Sequence, residues 1–218
     1  MTARMPRLRH SPDQLTRAWQ CASMLLDYPD EALVRRLDLM GDVADSLPGP
    51  VGAGLRSTVD RLGARPLVDV QGDYVDTFDT RRRGCLFLTY FSHGETRSRG
   101  LALLRIKQVY TRAGLDLAAD QLPDHLCVVM EFAATVDQRA GVKMLLDNRA
   151  GLELPRLHLD SLDSPWTGSV RSVCATLPPL GGADEDAVAR LVAQGPAEEQ
   201  VGLDPYGSPA LAPMRGGV

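Results

Sequence analysis

The sequence predicts an all-α fold, a single globular bundle of about nine or ten short helices joined by short links. Hydrophobic residues make up 44% of the 218-residue chain but aromatic residues only 5%, so the core must consist mainly of Leu, Val and Ala. Such a core suits packed helices better than strands, which favour β-branched and aromatic side chains. Apolar residues also recur at three- and four-residue spacings, and no stretch combines sustained strand alternation with a hairpin dipeptide.

The first helices are marked by start signals and apolar stripes. Ser11 to Asp13 supplies an N-cap, a proline at the first helical position and an acid in the first turn. Tyr28-Pro29 ends this helix, Asp30 and Glu31 begin the next, and Leu47 to Pro50 forms a turn. The four stripes are Leu15, Trp19, Ala22 and Leu26; Leu33, Leu37, Met40 and Ala44; Val51, Leu55, Val59 and Leu62; and Leu67, Val70, Tyr74 and Phe78.

Helical periodicity fades from Asp79 to Gly94, which predicts a structured loop containing one or two helical turns. It returns from Glu95 to Ala113, where Gly114 is a natural stop. Pro155 lies inside the apolar segment Leu152 to Leu162, so a kink or a restart is expected there. The later helices are predicted around Leu126 to Val136, Leu145 and Leu146, Leu152 to Leu162, Trp166 to Leu177, and Asp184 to Ala193.

The composition of the two ends sets the expected limits of the domain. Residues 1–10 are predicted to be a flexible N-terminus, and residues 11–195 form the helical domain. Residues 196–218 contain Pro and Gly with few large apolar side chains, which predicts a disordered tail. No internal repeat is visible.

Charge and cysteine spacing exclude several classes of function. The formal net charge is −4, which gives no support for a nucleic-acid-binding face. The four cysteines, Cys21, Cys85, Cys127 and Cys174, form no C-x-x-C pair and are expected to be reduced and buried. The basic start lacks an apolar signal segment, and no run approaches the ~18 apolar residues of a membrane span. We therefore expect a cytoplasmic protein.

No catalytic or metal-binding motif is present. His93, His125 and His158 lie on different predicted elements, and none belongs to an E-x-x-H or H-x-x-x-H pair. The sequence also contains no P-loop, no G-x-S-x-G and no G-x-G-x-x-G. The expectation is a protein that is not an enzyme and has no cofactor or metal; a nucleotide hydrolase or metalloenzyme on a helical scaffold is the alternative, without a motif to support it.

The triplet Arg81 to Arg83 has three possible interpretations. It is an anion site, a solvated charged run, or a set of ion pairs with Asp76 and Asp79. Runs of charged residues are mostly solvated, which favours a solvated run or ion pairs over an anion site.

Binding a polypeptide is the function that the central block favours. Pro123 and Asp124 suit a helix start, but that role does not explain His125 or the polar-tipped rings nearby in sequence. Rings with an apolar body and a polar tip suit a surface that receives a partner helix. The candidate peptide-binding residues are Tyr74, Phe78, Arg82, Tyr90, Phe91, His93, Pro123, Asp124 and His125.

The same block resembles a known family. Three segments are similar to the NarJ-type chaperones that assemble respiratory nitrate reductase, within the wider TorD/DmsD/NarJ group. They are Tyr74 to Arg97, Gly100 to Tyr110, and Leu122 to Leu126 followed by Glu131 to Ala134. The likeness extends weakly from Trp19 to Pro205. The group's Pro-Asp-His step falls on Pro123, Asp124 and His125, and its more usual Glu before that proline is Leu122 here.

The resemblance implies an all-helical chaperone that binds the N-terminal segment of the nitrate reductase α subunit. It would keep the apoenzyme competent for insertion of the molybdenum cofactor and an iron–sulfur cluster before membrane attachment. We expect a 1:1 complex of a monomer or weak homodimer, without nucleic acid and without stable membrane association. The alternative client is another molybdenum oxidoreductase, of the dimethylsulfoxide or trimethylamine-oxide reductase type. Asp124→Ala and His125→Ala are expected to weaken binding more than stability.

Overall fold

The computed structural model describes residues 8–118 and 121–194, and the regular elements of this part of the chain are helices. The helices are α1 (Pro12–Leu25), α2 (Glu31–Asp45), α3 (Gly49–Gly63), α4 (Leu67–Tyr74), α5 (Tyr90–His93), α6 (Arg97–Arg112), α7 (Leu126–Thr135), α8 (Gln138–Asp147), α9 (Arg149–Ser161), α10 (Thr167–Thr176) and α11 (Gly182–Gln194). Within the described residues the only strand-like pairing is an isolated antiparallel bridge between Phe87 and His125. The predicted all-α class is confirmed, and the structured loop contributes the additional one-turn helix α5.

The predicted helix starts are formed by side-chain caps. The hydroxyl of Ser11 accepts a hydrogen bond from the N–H of Gln14, and the side chain of Gln14 accepts one from the N–H of Ser11. The carboxylate of Asp30 accepts a 2.7 Å bond from the N–H of Leu33 at the start of α2. These contacts satisfy amide groups that have no partner inside a helix, which fixes where each helix begins.

The centre of the bundle is formed by α1, α3, α7 and α10, with α2 on α3 and α8 on α7. Helices α3 and α10 approach closely through two glycines: a Cβ atom on Gly168 would lie 2.1 Å from the carbonyl oxygen of Gly54. Ser172 donates a 2.7 Å hydrogen bond from α10 to the carbonyl of Val51 on α3. Trp19 and Trp166 are fully buried in this core.

Helix α4 continues into a π-helical turn over Val75–Asp79. Phe78 therefore stays on the same inward side as Tyr74, with 4.7 Å between the ring centroids. Both rings pack against Trp166, at 5.4 Å for Tyr74 and 5.2 Å for Phe78. This aromatic cluster anchors the structured loop that begins at Asp79.

Helix α9 runs without interruption through Pro155, so the predicted restart does not occur. The buried Glu153 pairs with the buried Arg149 at 2.6 Å and with the partly exposed Arg156 at 2.5 Å. Leu152, next in sequence to Glu153, is fully buried. The helix thus continues although the proline lacks the amide hydrogen bond of an interior helical residue.

The predicted flexible start and disordered tail fall mostly outside the described residues, since residues 1–7 and 195–218 are not described. In the described part, no helix has the length and apolar character needed to cross a lipid bilayer.

Candidate functional site

The structured loop and the start of α7 are joined by backbone hydrogen bonds. The N–H of Leu88 donates to the carbonyl of Asp124 at 3.0 Å, and the N–H of Leu126 donates to the carbonyl of Leu86 at 2.8 Å. Between these bonds the rings of Phe87 and His125 meet edge to face, with centroids 5.3 Å apart. The central block thus forms one structural unit from segments far apart in sequence.

Asp124 is fully buried at this junction. Its Oδ2 accepts hydrogen bonds from the N–H and the hydroxyl of Thr89, at 3.1 and 2.5 Å. Nη2 of Arg99 lies 3.8 Å from the same oxygen, while Oδ1 has no hydrogen-bond partner among the described residues. A buried carboxylate held in this way fixes the loop.

Pro123 is also buried, and its carbonyl accepts a 2.8 Å hydrogen bond from the hydroxyl of Tyr110 on α6. Burial, with a further contribution from the charge of Asp124, raises the pKa of Tyr110, so the phenol is a neutral donor. The Pro-Asp pair therefore connects α6, α7 and the structured loop.

His125 is half-buried beside this junction. Burial lowers its pKa, and the negative charges of Asp27 and Asp124 only partly oppose that effect. The imidazole is thus neutral near pH 7, and it contributes an amphipathic ring rather than a positive charge.

Phe87 separates two open clefts. The first, called here the acidic cleft, has a volume of about 310 Å³ and is lined by Asp27, Phe87, Gln121, Leu122, His125, Cys127, Val128 and Glu131. The second, called here the arginine cleft, has a volume of about 280 Å³ and is lined by Phe78, Asp79, Arg81, Cys85, Phe87, Tyr90, Glu95 and Arg99.

The acidic cleft combines exposed apolar side chains with uncompensated negative charge. Leu122 is 39% exposed, and Asp27 and Glu131 are exposed without an ion-pair partner among the described residues. A neighbouring hollow shares Gln121, Val128 and Glu131 and extends this surface to Asp116. Together these residues form a trough with mixed apolar and polar walls, whose charged side chains are all acidic.

The arginine cleft has mixed charge and an aromatic wall. The guanidinium carbon of Arg99 lies 5.5 Å from the centroid of the Phe87 ring and 5.6 Å from that of Tyr90. Arg81 faces the same space, together with the acids Asp79 and Glu95. Arginine stacked on rings keeps its position while it presents donors to a ligand.

Only some of the nine predicted binding residues line the two clefts in the structure. Phe78, Tyr90 and His125 line the two clefts, although Phe78 and Tyr90 are themselves largely buried. The side chains of Tyr74, Phe91, Pro123 and Asp124 are buried and line neither of the two clefts. His93 is half-buried, with Nδ1 3.3 Å from the hydroxyl of Ser98. Arg82 lies in a single 3₁₀ turn, and its side chain is outside the described part.

Sequence reasoning missed Asp27, Phe87, Arg99, Leu122 and Glu131 as cleft residues. Leu122 stands where the resembling group more usually has Glu. In the structure, Asp27 and Glu131 supply carboxylates to the cleft that Leu122 also lines. The two acids belong to α7 and to the segment that follows α1. They are far apart in sequence, so the spacing of residues along the chain does not predict that they line one cleft.

The arginine triplet is partly explained. Arg81 and Arg83 are exposed, and no ion pair joins either to Asp76 or Asp79 in the described part of the chain. Arg81 faces the arginine cleft, and Arg83 lines a separate cavity with Phe91, Leu154 and His158.

The cysteines and acids offer no metal site in the part of the chain that the structure describes, where no group of three or more ligating side chains converges. All four cysteines are free, with Cys21 and Cys127 buried and Cys85 and Cys174 partly buried. Burial raises the pKa of the Cys85 thiol to about 11, so none of its chemistry resembles that of an activated nucleophile.

Comparison with known proteins agrees with the resemblance seen in the sequence. The chain is 37% identical to the nitrate reductase-like protein NarX of Mycobacterium tuberculosis over 72% of its own length and 24% of that protein. It is 32% identical to the nitrate reductase molybdenum cofactor assembly chaperone NarJ of Escherichia coli K12 over 66% of its length and 62% of that chaperone. The chain thus spans less than two thirds of these curated relatives.

A solved structure shows the same fold. A protein from Archaeoglobus fulgidus assigned to redox enzyme maturation superposes with a TM-score of 0.54, covering 78% of this chain and 94% of that one at 19% identity. Residues 44–171, more than half of the chain, match the profile of one family. The chain belongs to the nitrate reductase delta subunit family.

Proposed function

We propose that this protein is a cytoplasmic assembly chaperone, not an enzyme, that binds the N-terminal segment of the nitrate reductase α subunit. It keeps the apoenzyme competent for insertion of the molybdenum cofactor and an iron–sulfur cluster. The names of the relatives from Escherichia coli and Bacillus subtilis, molybdenum cofactor assembly chaperones of nitrate reductase, support the client. The relatives do not specify the segment that is bound, and the shape and charge of the clefts support that part of the proposal.

The acidic cleft is the observation that carries the proposal. The N-terminal end of a polypeptide has a positive α-amino group, and a helix formed there adds the positive end of its dipole. Asp27 and Glu131 offer matching carboxylates beside the exposed Leu122. An amphipathic segment can bury its apolar face against Leu122 and Val128 while its charged end meets the acids.

Affinity and orientation then come from different residues. Apolar burial in the trough supplies most of the binding free energy, at about 25 cal/mol per Å² before association costs. The exposed acids steer the segment by electrostatic attraction, and this attraction weakens as salt screens the charges. Binding is therefore expected to depend on both the apolar walls and the ionic strength.

Calorimetry with a synthetic peptide of the α-subunit N-terminus tests the proposal. We expect 1:1 binding that weakens by about threefold to tenfold in Glu131→Gln and Asp27→Asn, with a smaller salt dependence in both variants. Asp38→Asn, which removes an exposed acid of α2 outside the clefts, is the matched control and should bind like the parent. A folded protein that does not bind the peptide at high micromolar concentration would refute the proposed client segment. Competition with the leader peptide of another molybdenum oxidoreductase establishes which client is preferred.

A further inference from the structure

Helix α6 carries charge of one sign. Its sixteen residues include Arg97, Arg99, Arg105, Lys107 and Arg112, and no Asp or Glu. The chain as a whole is acidic, with a net charge of −4. Positive charge is thus concentrated on one element.

The two sides of α6 differ in burial. Ile106 and Tyr110 are the buried residues and face the bundle. With 3.6 residues per turn, Leu101 and Leu104 fall on the opposite side, among Arg97, Arg105 and Arg112. The leucines are 54% and 52% exposed, so this outer face places apolar side chains between arginines in contact with solvent.

The arginines of this outer face have no carboxylate partner in the described part of the chain. Some exposed arginines elsewhere are paired, for example Arg35 with Glu31 at 3.6 Å and Arg56 with Asp45 at 2.9 Å, whereas others, such as Arg81 and Arg83, have no ion pair in the described part of the chain. The positive charge on α6 is therefore available to an external anion.

We propose that the outer face of α6, defined by Arg97, Leu101, Leu104, Arg105 and Arg112, binds an anionic lipid surface. A basic helix with low overall hydrophobicity and an apolar strip lies in the plane of a membrane interface. There the leucines enter the boundary of the acyl chains, while the arginine stems extend along it and their heads remain with the lipid phosphates. Binding is weak and reversible, as two leucines give little apolar burial.

Two other partners fit this face less well. A stable protein interface buries about 800 Å² on each partner, whereas one convex helix of about 24 Å presents only a narrow strip. A nucleic acid would use the arginines but leaves the exposed leucines unexplained, and it is repelled by the acidic remainder of the chain. The lipid surface uses both kinds of side chain.

Cosedimentation with vesicles tests the proposal on the full chain. We expect at least about tenfold stronger partition onto vesicles of phosphatidylcholine with phosphatidylglycerol than onto phosphatidylcholine alone, and loss of the difference as salt rises. The double variants Arg97→Gln/Arg105→Gln and Leu101→Asp/Leu104→Asp should each reduce partition about tenfold. The matched control Arg35→Gln/Leu39→Asp alters an exposed arginine and an exposed leucine of α2 and should leave partition unchanged.

Each other outcome contradicts the proposal. Equal partition onto both kinds of vesicle, or α6 variants that bind like the parent, would exclude this face as a lipid site. Binding of a single-stranded oligonucleotide or of polyglutamate without binding of vesicles would assign α6 to another partner. Since these substitutions lie outside both clefts, the affinity for the α-subunit peptide should stay within about twofold, so a failure here is distinguishable from failure of the proposed client.

Discussion

Thr89 donates two hydrogen bonds to a single carboxylate oxygen of Asp124, at 3.1 Å from its N–H and 2.5 Å from its hydroxyl. Both residues are fully buried. The contact closes the structured loop onto the start of α7 and holds Phe87 between the two clefts. Asp124 therefore shapes the candidate binding surface from beneath and does not face a client.

Asp124→Ala should lower the free energy of unfolding by about 2–4 kcal/mol, because it leaves Thr89 and Arg99 buried without their partner. Thr89→Val, which keeps the shape but removes the hydroxyl, should cost about 1–2 kcal/mol. Urea unfolding at pH 7 measures both. Because Asp124 is buried, we now expect its loss to lower stability more than binding, which is the opposite of the order expected from the sequence. An Asp124→Ala variant as stable as the parent would contradict the structural role.

The sequence predicted the helices well because caps and apolar stripes are local signals. Ser11 and Asp30 begin their helices through contacts with residues three positions away. The clefts arise differently, since Asp27 and Glu131 meet only after α1 and α7 pack. The polar tip of Tyr74 looked suited to a client, but its hydroxyl donates to the carbonyl of Leu26 inside the bundle. Burial of that kind depends on tertiary packing, and the spacing of residues in the sequence does not predict it.

Stability should fall as the pH decreases from 7 to 5, in part because of two histidines. Burial lowers the pKa of His125, and burial together with the charges of Arg81 and Arg83 lowers that of His158. In the unfolded chain both take up a proton near pH 6.5, so the unfolded state binds more protons in this range. The stabilisation is complete above that value and is lost as the pH falls through the folded-state pKa values.

Urea unfolding of the parent, His125→Gln and His158→Gln at pH 7, 6 and 5 measures this effect. Each substitution should flatten the dependence of the free energy of unfolding on pH, because it removes one proton-binding difference between the states. His10→Gln changes a half-buried histidine at the N-terminal edge and is the control. A slope that neither His125→Gln nor His158→Gln alters would show that carboxylates alone determine the acid sensitivity.

Gly168→Ala should destabilise the protein by about 3 kcal/mol or more. The new Cβ would lie 2.1 Å from the carbonyl oxygen of Gly54 and 2.9 Å from the hydroxyl of Thr58, so α3 and α10 must separate. Gly72→Ala is the matched control, since it lies in α4 with no atom within 4 Å of the new methyl group. That variant should gain about 0.5–1 kcal/mol from helix propensity. Thermal or urea unfolding of the two variants tests the close approach of α3 and α10. Equal stabilities of Gly168→Ala and Gly72→Ala would disprove it.

Phe87→Ala should weaken binding of the α-subunit peptide by at least about tenfold, because this half-buried ring is the wall that both clefts share. Removing it also takes away the ring beneath Arg99 and beside His125, so the substitution loosens two further cleft residues. Phe87→Leu keeps apolar bulk and should fall between the parent and Phe87→Ala. Leu39→Ala, a truncation of an exposed apolar side chain on α2, should bind like the parent. Calorimetry at constant salt measures all four proteins. If Phe87→Ala remains folded and binds the peptide as tightly as the parent, the client segment lies elsewhere on the molecule.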